Sequence, residues 1–399
     1  MTDRRLLTRV CLRNYRSIAA CDVRPAQLSF LVGANGSGKS NFLDGLRFVA
    51  DSLRFSLDHA LRDRGGIGEV RRRSGGHPNH FGIRLEFKLA ECSGSYAFEV
   101  GARNPGGFQV QREVCEIQSA GDALRRESYR IENGDVRAST LGTAPPASAD
   151  RLYLVNVSGL PAFRPLYDAL SGMGFYNLNP AEIRELQPPD PGELLRRDGS
   201  NLASVLAVLA ASSPTVKQRI EDYLARVVPG LSGVDSKSVG TKETLEFRQI
   251  VQGAAAPWRF LASNMSDGTM RALGVLVALF QSNGSQARHL IGIEEPELAL
   301  HPAAAGILTD ALREASQRVQ VLVTSHSPEL LDNEGIPDEA ILAVVSEEGE
   351  TRIGPLDAAG RSVLRDHLYT PGELLRMDQL RPDPELSRPK QLALFDPEG

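Results

Sequence analysis

Four clusters of chemistry-bearing residues stand along the 399-residue chain in a fixed order: residues 33–40 read GANGSGKS, 266–269 read SDGT, 291–297 read IGIEEPE and 324–327 read TSHS. The first is a G-x-x-x-x-G-K-S run, which turns several backbone N–H groups toward one point where phosphate oxygens can sit. Gly33, Gly36 and Gly38 permit the close approach and the unusual dihedrals this needs. Lys39 supplies a point charge for β- and γ-phosphates, Ser40 a hydroxyl for Mg²⁺, and a helix starting near Lys39 adds its N-terminal dipole. The expected nucleotide cradle is therefore Gly33, Ala34, Asn35, Gly36, Ser37, Gly38, Lys39, Ser40 and Asn41.

The acidic cluster follows an apolar run, which would hold its carboxylates at the end of a strand. Glu294 is placed to hold Mg²⁺ directly or through water, and Glu295, one residue on and differently aimed, to polarise an attacking water. Alone, E-E-P-E could equally be a solvated acidic turn. His326 follows a second apolar strand and can reach a γ-phosphate and the water, although a lone histidine is ordinarily structural. Ser266 and Gly268 precede a helical run and form an anion site at a helix N-terminus, or a simple helix cap. It is the order of the four that makes one ATP site the economical reading, with ATP and Mg²⁺ as ligands.

These residues need strands and helices to hold them. Residues 28–32 form a short apolar run that ends at the glycine-rich loop, and 41–57 carry Phe42, Leu43, Leu46, Val49, Ala50 and Leu53 at helical spacing. Segments 81–89 and 96–111 read as antiparallel strands, and 118–150 as longer polar loops. Four helices are expected over 163–170, 180–186, 202–211 and 214–228, broken by the P-P-D-P at 188–191. Apolar positions there hold no heptad, which argues against a coiled-coil arm. Strands resume at 245–250, and the alternation of strand 290–293, helix 303–316 and strand 319–324 points to a mostly parallel sheet. The expected fold is thus α/β: a P-loop head with a mixed central sheet and an antiparallel β subdomain. Its expected divisions are 1–157, a helical insertion 158–235, 236–376, and a flexible tail 377–399 punctuated by Pro382, Pro384 and Pro389.

Composition bounds the partners. The chain is 41% hydrophobic and 24% charged with a net charge of -5, which argues against nucleic-acid binding by overall charge. The densest basic cluster, Arg71, Arg72 and Arg73 near Arg62 and Arg64, sits among glycines and reads as a solvated loop. Cys11, Cys21, Cys92 and Cys115 have no C-x-x-C or metal spacing and read as buried reduced thiols. With no secretory signal and no apolar run long enough to span a bilayer, the expectation is a cytoplasmic chain without a membrane partner.

The order of phosphate loop, signature element, double-acid strand and switch histidine resembles the ABC ATPase superfamily, and within it the RecF, SMC and OLD-type branch. The residues carrying the resemblance are NYRSI at 14–18, GANGSGKSN, SDGT, EEPELALHP and TSHS. The stretch 192–209, with its DGSNLASVL, and GELL at 372–375 look like the short, coil-less "predicted ATPase" group of that branch. The resemblance covers residues 5–376 and implies two heads that dimerise head to tail. Ser266 and Gly268 of one copy would close on the γ-phosphate held by Lys39 and Ser40 of the other, with Glu295 and His326 driving hydrolysis. Departures are Glu294 where Asp is common, and a Q-loop glutamine for which Gln109, Gln111 and Gln118 are all unconvincing. No TOPRIM-type nuclease follows the switch, so any nuclease would come from a partner.

Three functions compete. The first is an ATPase acting on DNA in repair or in defence against foreign DNA. The second is a slow ATP-gated switch that holds or releases an effector such as a nuclease or toxin. A transporter subunit is disfavoured, because SDG replaces the SGGQ type. Near the C-terminus QLALF resembles the peptide by which bacterial polymerases and repair proteins dock on the sliding clamp: Gln391 would fix register while Leu392, Leu394 and Phe395 fill an apolar pocket. The alternative is a tail that packs back on its own domain.

Overall fold

The computed structural model describes residues 5–73, 78–103, 106–121, 126–281, 288–332, 336–387 and 393–395. Its chain divides into two units, one built from Met1–Met173, Pro337–Tyr369 and Leu374–Gly399, the other from Gly174–Ile336 with Thr370–Glu373.

In the first unit a seven-stranded antiparallel sheet runs, edge to edge, Ile18–Val23, Leu7–Tyr15, His80–Lys88, Cys92–Ala102, Phe108–Ser119, Arg126–Glu132 and Asp135–Ser139. Alternation along these strands buries one face, and Tyr15, Phe81 and Phe98 meet Phe48 of the helix Lys39–Arg54 there. The Phe48 and Phe81 rings lie edge to face with centroids 5.3 Å apart. The helix buries Phe42, Leu43, Leu46, Val49, Ala50 and Leu53, the stripe its spacing predicts. Leu28–Val32 feeds the glycine loop and pairs in parallel with Ile341–Glu347, which turns back antiparallel into Glu350–Pro355.

In the second unit Gly174–Tyr176, Leu290–Glu294 and Gln320–Ser325 are parallel neighbours, with Leu290–Glu294 in the middle. Its central strand reads LIGIE, apolar until the carboxylate emerges. The helix Asp267–Phe280 is buried almost all round, and a three-stranded meander comprises Leu231–Val239, Lys242–Gln249 and Trp258–Leu261.

Several expectations change. Within 118–150 lies a hairpin, Arg126–Glu132 paired with Asp135–Ser139, where polar loops were expected. Its turn is Asn133-Gly134, both with positive φ (52° and 88°), the dipeptide that a tight hairpin favours. The segment 158–235 holds helices Arg164–Ser171, Pro180–Arg184, Leu202–Ser212 and Pro214–Val227, but also a strand at each of Gly174–Tyr176 and Leu231–Val239. The first of these strands joins the parallel set, so a purely helical insertion understates it.

The last segment is not loose over its described part. Leu394 is 1% exposed, and a Cβ at Gly82 would stand 2.2 Å from its Cδ1, so the missing side chain makes the notch that Leu394 fills. Arg84 Nη1 donates to the Leu394 carbonyl at 3.1 Å, and the Arg112 guanidinium carbon lies 4.3 Å from the Phe395 ring centroid. Leu394 and Phe395 therefore rest on the antiparallel sheet of their own unit; Gln391 and Leu392 lie outside the described residues. All four cysteines are free and buried. Burial pushes the Cys11 thiol up to about 12 and that of Cys92 to about 11, as inert structural thiols require. Among the described residues, no helix is long and apolar enough to cross a membrane.

Candidate functional site

In the first unit the phosphate loop has the form its glycines suggest. Gly36 and Gly38 have φ of 77° and 102°. A Cβ at Gly38 would stand 1.9 Å from Thr351 Oγ1, and one at Gly33 1.9 Å from the Val344 carbonyl, so at these two positions a side chain is excluded by space as well. Gly38 is also the N-cap of Lys39–Arg54 and offers no side-chain cap, which leaves first-turn N–H groups for an anion. Lys39 Nζ donates to the Gly33 and Ala34 carbonyls at 2.8 and 3.0 Å, curling over the loop it would share with phosphates. Ser37 is buried, and its hydroxyl has no hydrogen-bond partner among the described residues. Such a hydroxyl fits an anionic guest.

Ser40 is exposed at the start of the helix, while Asn41 is turned away: its Nδ2 donates to Ser17 Oγ at 2.6 Å. Ser17 Oγ meets Thr351 Oγ1 at 2.7 Å, and Thr351 in turn donates to the Ser37 carbonyl at 2.9 Å. This chain of hydroxyls ties NYRSI to the loop. Tyr15 Oη donates to Asp44 at 2.8 Å, and Arg16 and Arg64 each lie 3.0 Å from that carboxylate. Burial alone would raise the Asp44 carboxyl, but Arg64, Arg16 and Arg47 outweigh it and hold it below the ordinary range. The motif is thus a brace for the phosphate-loop helix. Part of the basic cluster is spent similarly: Arg72 pairs with Glu350 at 3.2 Å, Arg73 with Glu69, and Arg71 donates to the Pro78 carbonyl at 2.9 Å.

The acids and the histidine come together in the second unit. Leu290–Glu294 and Gln320–Ser325 run in parallel with Glu294 opposite Thr324, so both motifs emerge at the same carboxyl ends. Glu295 Oε1 lies 3.2 Å from His326 Nδ1. Its own N–H donates to the Thr324 carbonyl at 2.9 Å, and its φ is 45°, a left-handed conformation costing a non-glycine residue on the order of 1–2 kcal/mol. That backbone turn aims Glu295 away from the strand line and toward the histidine. Glu294 Oε1 accepts from Arg197 Nη2 at 2.7 Å.

Two further residues escaped the sequence reading. Glu297 is buried, and its Oε1 accepts from Ser325 Oγ at 2.6 Å and from the His326 N–H at 3.4 Å, clamping the end of the histidine strand. Burial raises its carboxyl above the ordinary glutamate value, against the pull of the Ser325 hydrogen bond. Arg271, on the helix after SDG, brings a Nη2 to 3.5 Å from the Glu294 carbonyl; burial lowers its guanidinium, while Glu297, Glu295 and Glu294 oppose that. The third glutamate of E-E-P-E was the available signal for the first residue; nothing local marked the second.

Ser266 is the N-cap of Asp267–Phe280: its Oγ accepts from the Thr269 N–H at 3.2 Å. Arg184 pins this turn by donating to the Met265 carbonyl at 3.0 Å and pairing with Asp267. A Cβ on Gly268 would stand 2.4 Å from the Ala299 carbonyl, so glycine lets the helix start close against the segment after the acids. Gln109, Gln111 and Gln118 all lie on the strand Phe108–Ser119 of the antiparallel sheet. Ser40 in the first unit and Glu294 in the second each carry a hard oxygen donor of the kind that Mg²⁺ takes.

The family model described as "AAA domain, putative AbiEii toxin, Type IV TA system" matches residues 28–332, and the chain belongs to that family. The DNA replication and repair protein RecF of Vibrio atlanticus (strain LGP32) is 38% identical over 50 residues, 12% of this chain and 14% of that protein's length. A solved Smc head bound to the C-winged helix domain of ScpA shares 14% identity at a TM-score of 0.57, covering 89% of this chain and 99% of its own. The Smc head domain with an extended coiled coil from Pyrococcus furiosus, bound to the C-terminal domain of ScpA, gives 11%, 0.56, 91% and 99%. These likenesses show the fold, which is that of SMC head domains.

Proposed function

We propose that this member of the AAA-domain family hydrolyses ATP with Mg²⁺ and uses ATP to join two copies head to tail, in a role on DNA during repair or defence against foreign DNA. The observation that carries the reading is the Glu295–His326 pair, 3.2 Å apart, with Glu295 turned into it by a left-handed backbone. In this reading Lys39 and the loop amides take the β- and γ-phosphates, and Ser40 and Glu294 hold the metal, which supplies charge neutralisation when bound. Glu295 accepts a proton from the attacking water, and His326 orients Glu295 and the γ-phosphate. Ser266 and Gly268 of one copy close on the nucleotide of the other.

Glu295→Gln tests this. The amide keeps the shape and loses the base, so turnover falls by about 10²–10⁴-fold while ATP binding persists. Light scattering after size exclusion then finds a particle of twice 43.3 kDa with Mg²⁺ and ATP. A variant that stays at monomer mass with ATP bound sinks the head-to-tail mechanism.

The second reading, a slow ATP-gated switch over a partner effector, has support from the family description, which names a toxin of a toxin–antitoxin system. Turnover stimulated by duplex or single-stranded DNA favours the first reading. Turnover indifferent to DNA favours the second.

A further inference from the structure

Arg197 pairs with the Glu294 carboxylate, and the proposed chemistry leaves it without a task. Its Nη2 stands 2.7 Å from Glu294 Oε1, across 97 residues of sequence. The loop that presents it is built for the purpose. The Arg197 carbonyl accepts from the Asn177 N–H at 3.0 Å and the Asp198 carbonyl from the Asn179 N–H at 2.9 Å. Gly199 makes the turn at φ 85°, and Asn201, almost fully buried, donates to Asp190 and to the Leu194 carbonyl at 2.9 Å each. The neighbouring Arg196 is committed to Asp190 at 2.7 Å. Arg197 lies in the stretch 192–209, just before its DGSN, to which the ATP chemistry assigned nothing.

We infer that Arg197 is the exchangeable counter-ion of Glu294, a guanidinium that a divalent cation displaces when it takes that carboxylate. The inference rests on the Mg²⁺–ATP reading and deepens it. A divalent cation that takes this carboxylate at about 2.1 Å sets a second positive charge beside the guanidinium, and the two cations repel. Arg197 is able to leave: its side chain is 44% exposed against 19% for that of Glu294. Arg271 is not, because it is buried and meets Glu294 at the backbone carbonyl. One fixed charge and one movable charge therefore face the same acid, and Arg197 makes nucleotide binding depend less steeply on magnesium than an unpaired carboxylate would.

The measurement is the affinity for a fluorescent ATP analogue with Mg²⁺ and again with EDTA, taken as a ratio. A partly exposed ion pair sets the scale, so Arg197→Ala raises the ratio by about two- to fivefold, with the EDTA value unchanged, and Arg197→Lys gives a smaller rise. In a Glu294→Gln background the same Arg197→Ala change has no effect on the ratio. An unchanged ratio overturns the inference. A lowered one overturns it too, because Arg197 would then be orienting Glu294 for the metal. If the wild-type protein shows no nucleotide binding that Lys39→Ala removes, the ATP reading itself has failed, and the inference falls with it.

Discussion

Glu113 offers the sharpest test of how the first unit is held together. Its carboxyl is fully buried and gathers four donors: Tyr96 Oη at 3.1 Å, Tyr129 Oη at 2.8 Å and the Leu154 N–H at 2.9 Å on Oε1, and the Tyr153 N–H at 2.5 Å on Oε2. It thereby ties the strand Phe108–Ser119 to Arg126–Glu132 and to the start of the helix Tyr153–Val157. Glu113→Leu leaves four buried donors without an acceptor. At about 1–3 kcal/mol each the loss is roughly 4 kcal/mol or more, a large share of a domain's usual 5–15 kcal/mol. Glu113→Gln keeps the three bonds to Oε1 and sets an N–H₂ against the Tyr153 N–H, for a loss of about 2–3 kcal/mol.

The pH dependence has a definite sign. Burial lifts the Glu113 carboxyl above its ordinary value, against the two backbone and two tyrosine donors. The folded protein therefore binds this proton more readily than the unfolded chain does. The contribution is fully present below the ordinary glutamate range and is lost as pH rises through the raised value. Urea unfolding followed by far-ultraviolet circular dichroism at pH 5, 6.5 and 8 measures it, and the gap between wild type and Glu113→Gln is largest at pH 5. A Glu113→Leu protein within 1 kcal/mol of wild type, or a gap flat across pH, would refute the argument.

Two other outcomes follow from contacts already described. Gly268→Ala forces a Cβ against the Ala299 carbonyl and costs about 1–3 kcal/mol by overpacking; thermal melts report it, and an unshifted midpoint means that the backbone there yields. Leu394→Ala empties the notch at Gly82, a loss of roughly 2 kcal/mol or more, so limited proteolysis near the C-terminus accelerates at least tenfold. Cleavage at the wild-type rate means that the segment was never held.

How much of this was legible in the sequence depends on the range of the interaction. The phosphate loop, the acid strand and the histidine strand were readable because each couples a local turn or strand end to a residue type that chemistry demands there. The helix Lys39–Arg54 was readable from its stripe. The hairpin at 126–139 was missed because its strands are half polar, although Asn133-Gly134 was in plain view. Glu113 and Glu297 were not legible as network centres, since their partners lie at separations of 16 to 41 and 28 to 29 residues. The docking of Leu394 depends on a missing side chain at Gly82, which no pattern near the C-terminus could announce.

The left-handed backbone of Glu295 sets stability and the proposed chemistry against each other at one residue. Glycine adopts that conformation without steric strain, so replacing Glu295 by Gly trades the strain for a smaller entropic cost and, in the function proposed above, removes the base. Asparagine also tolerates the conformation and would relieve part of the same strain.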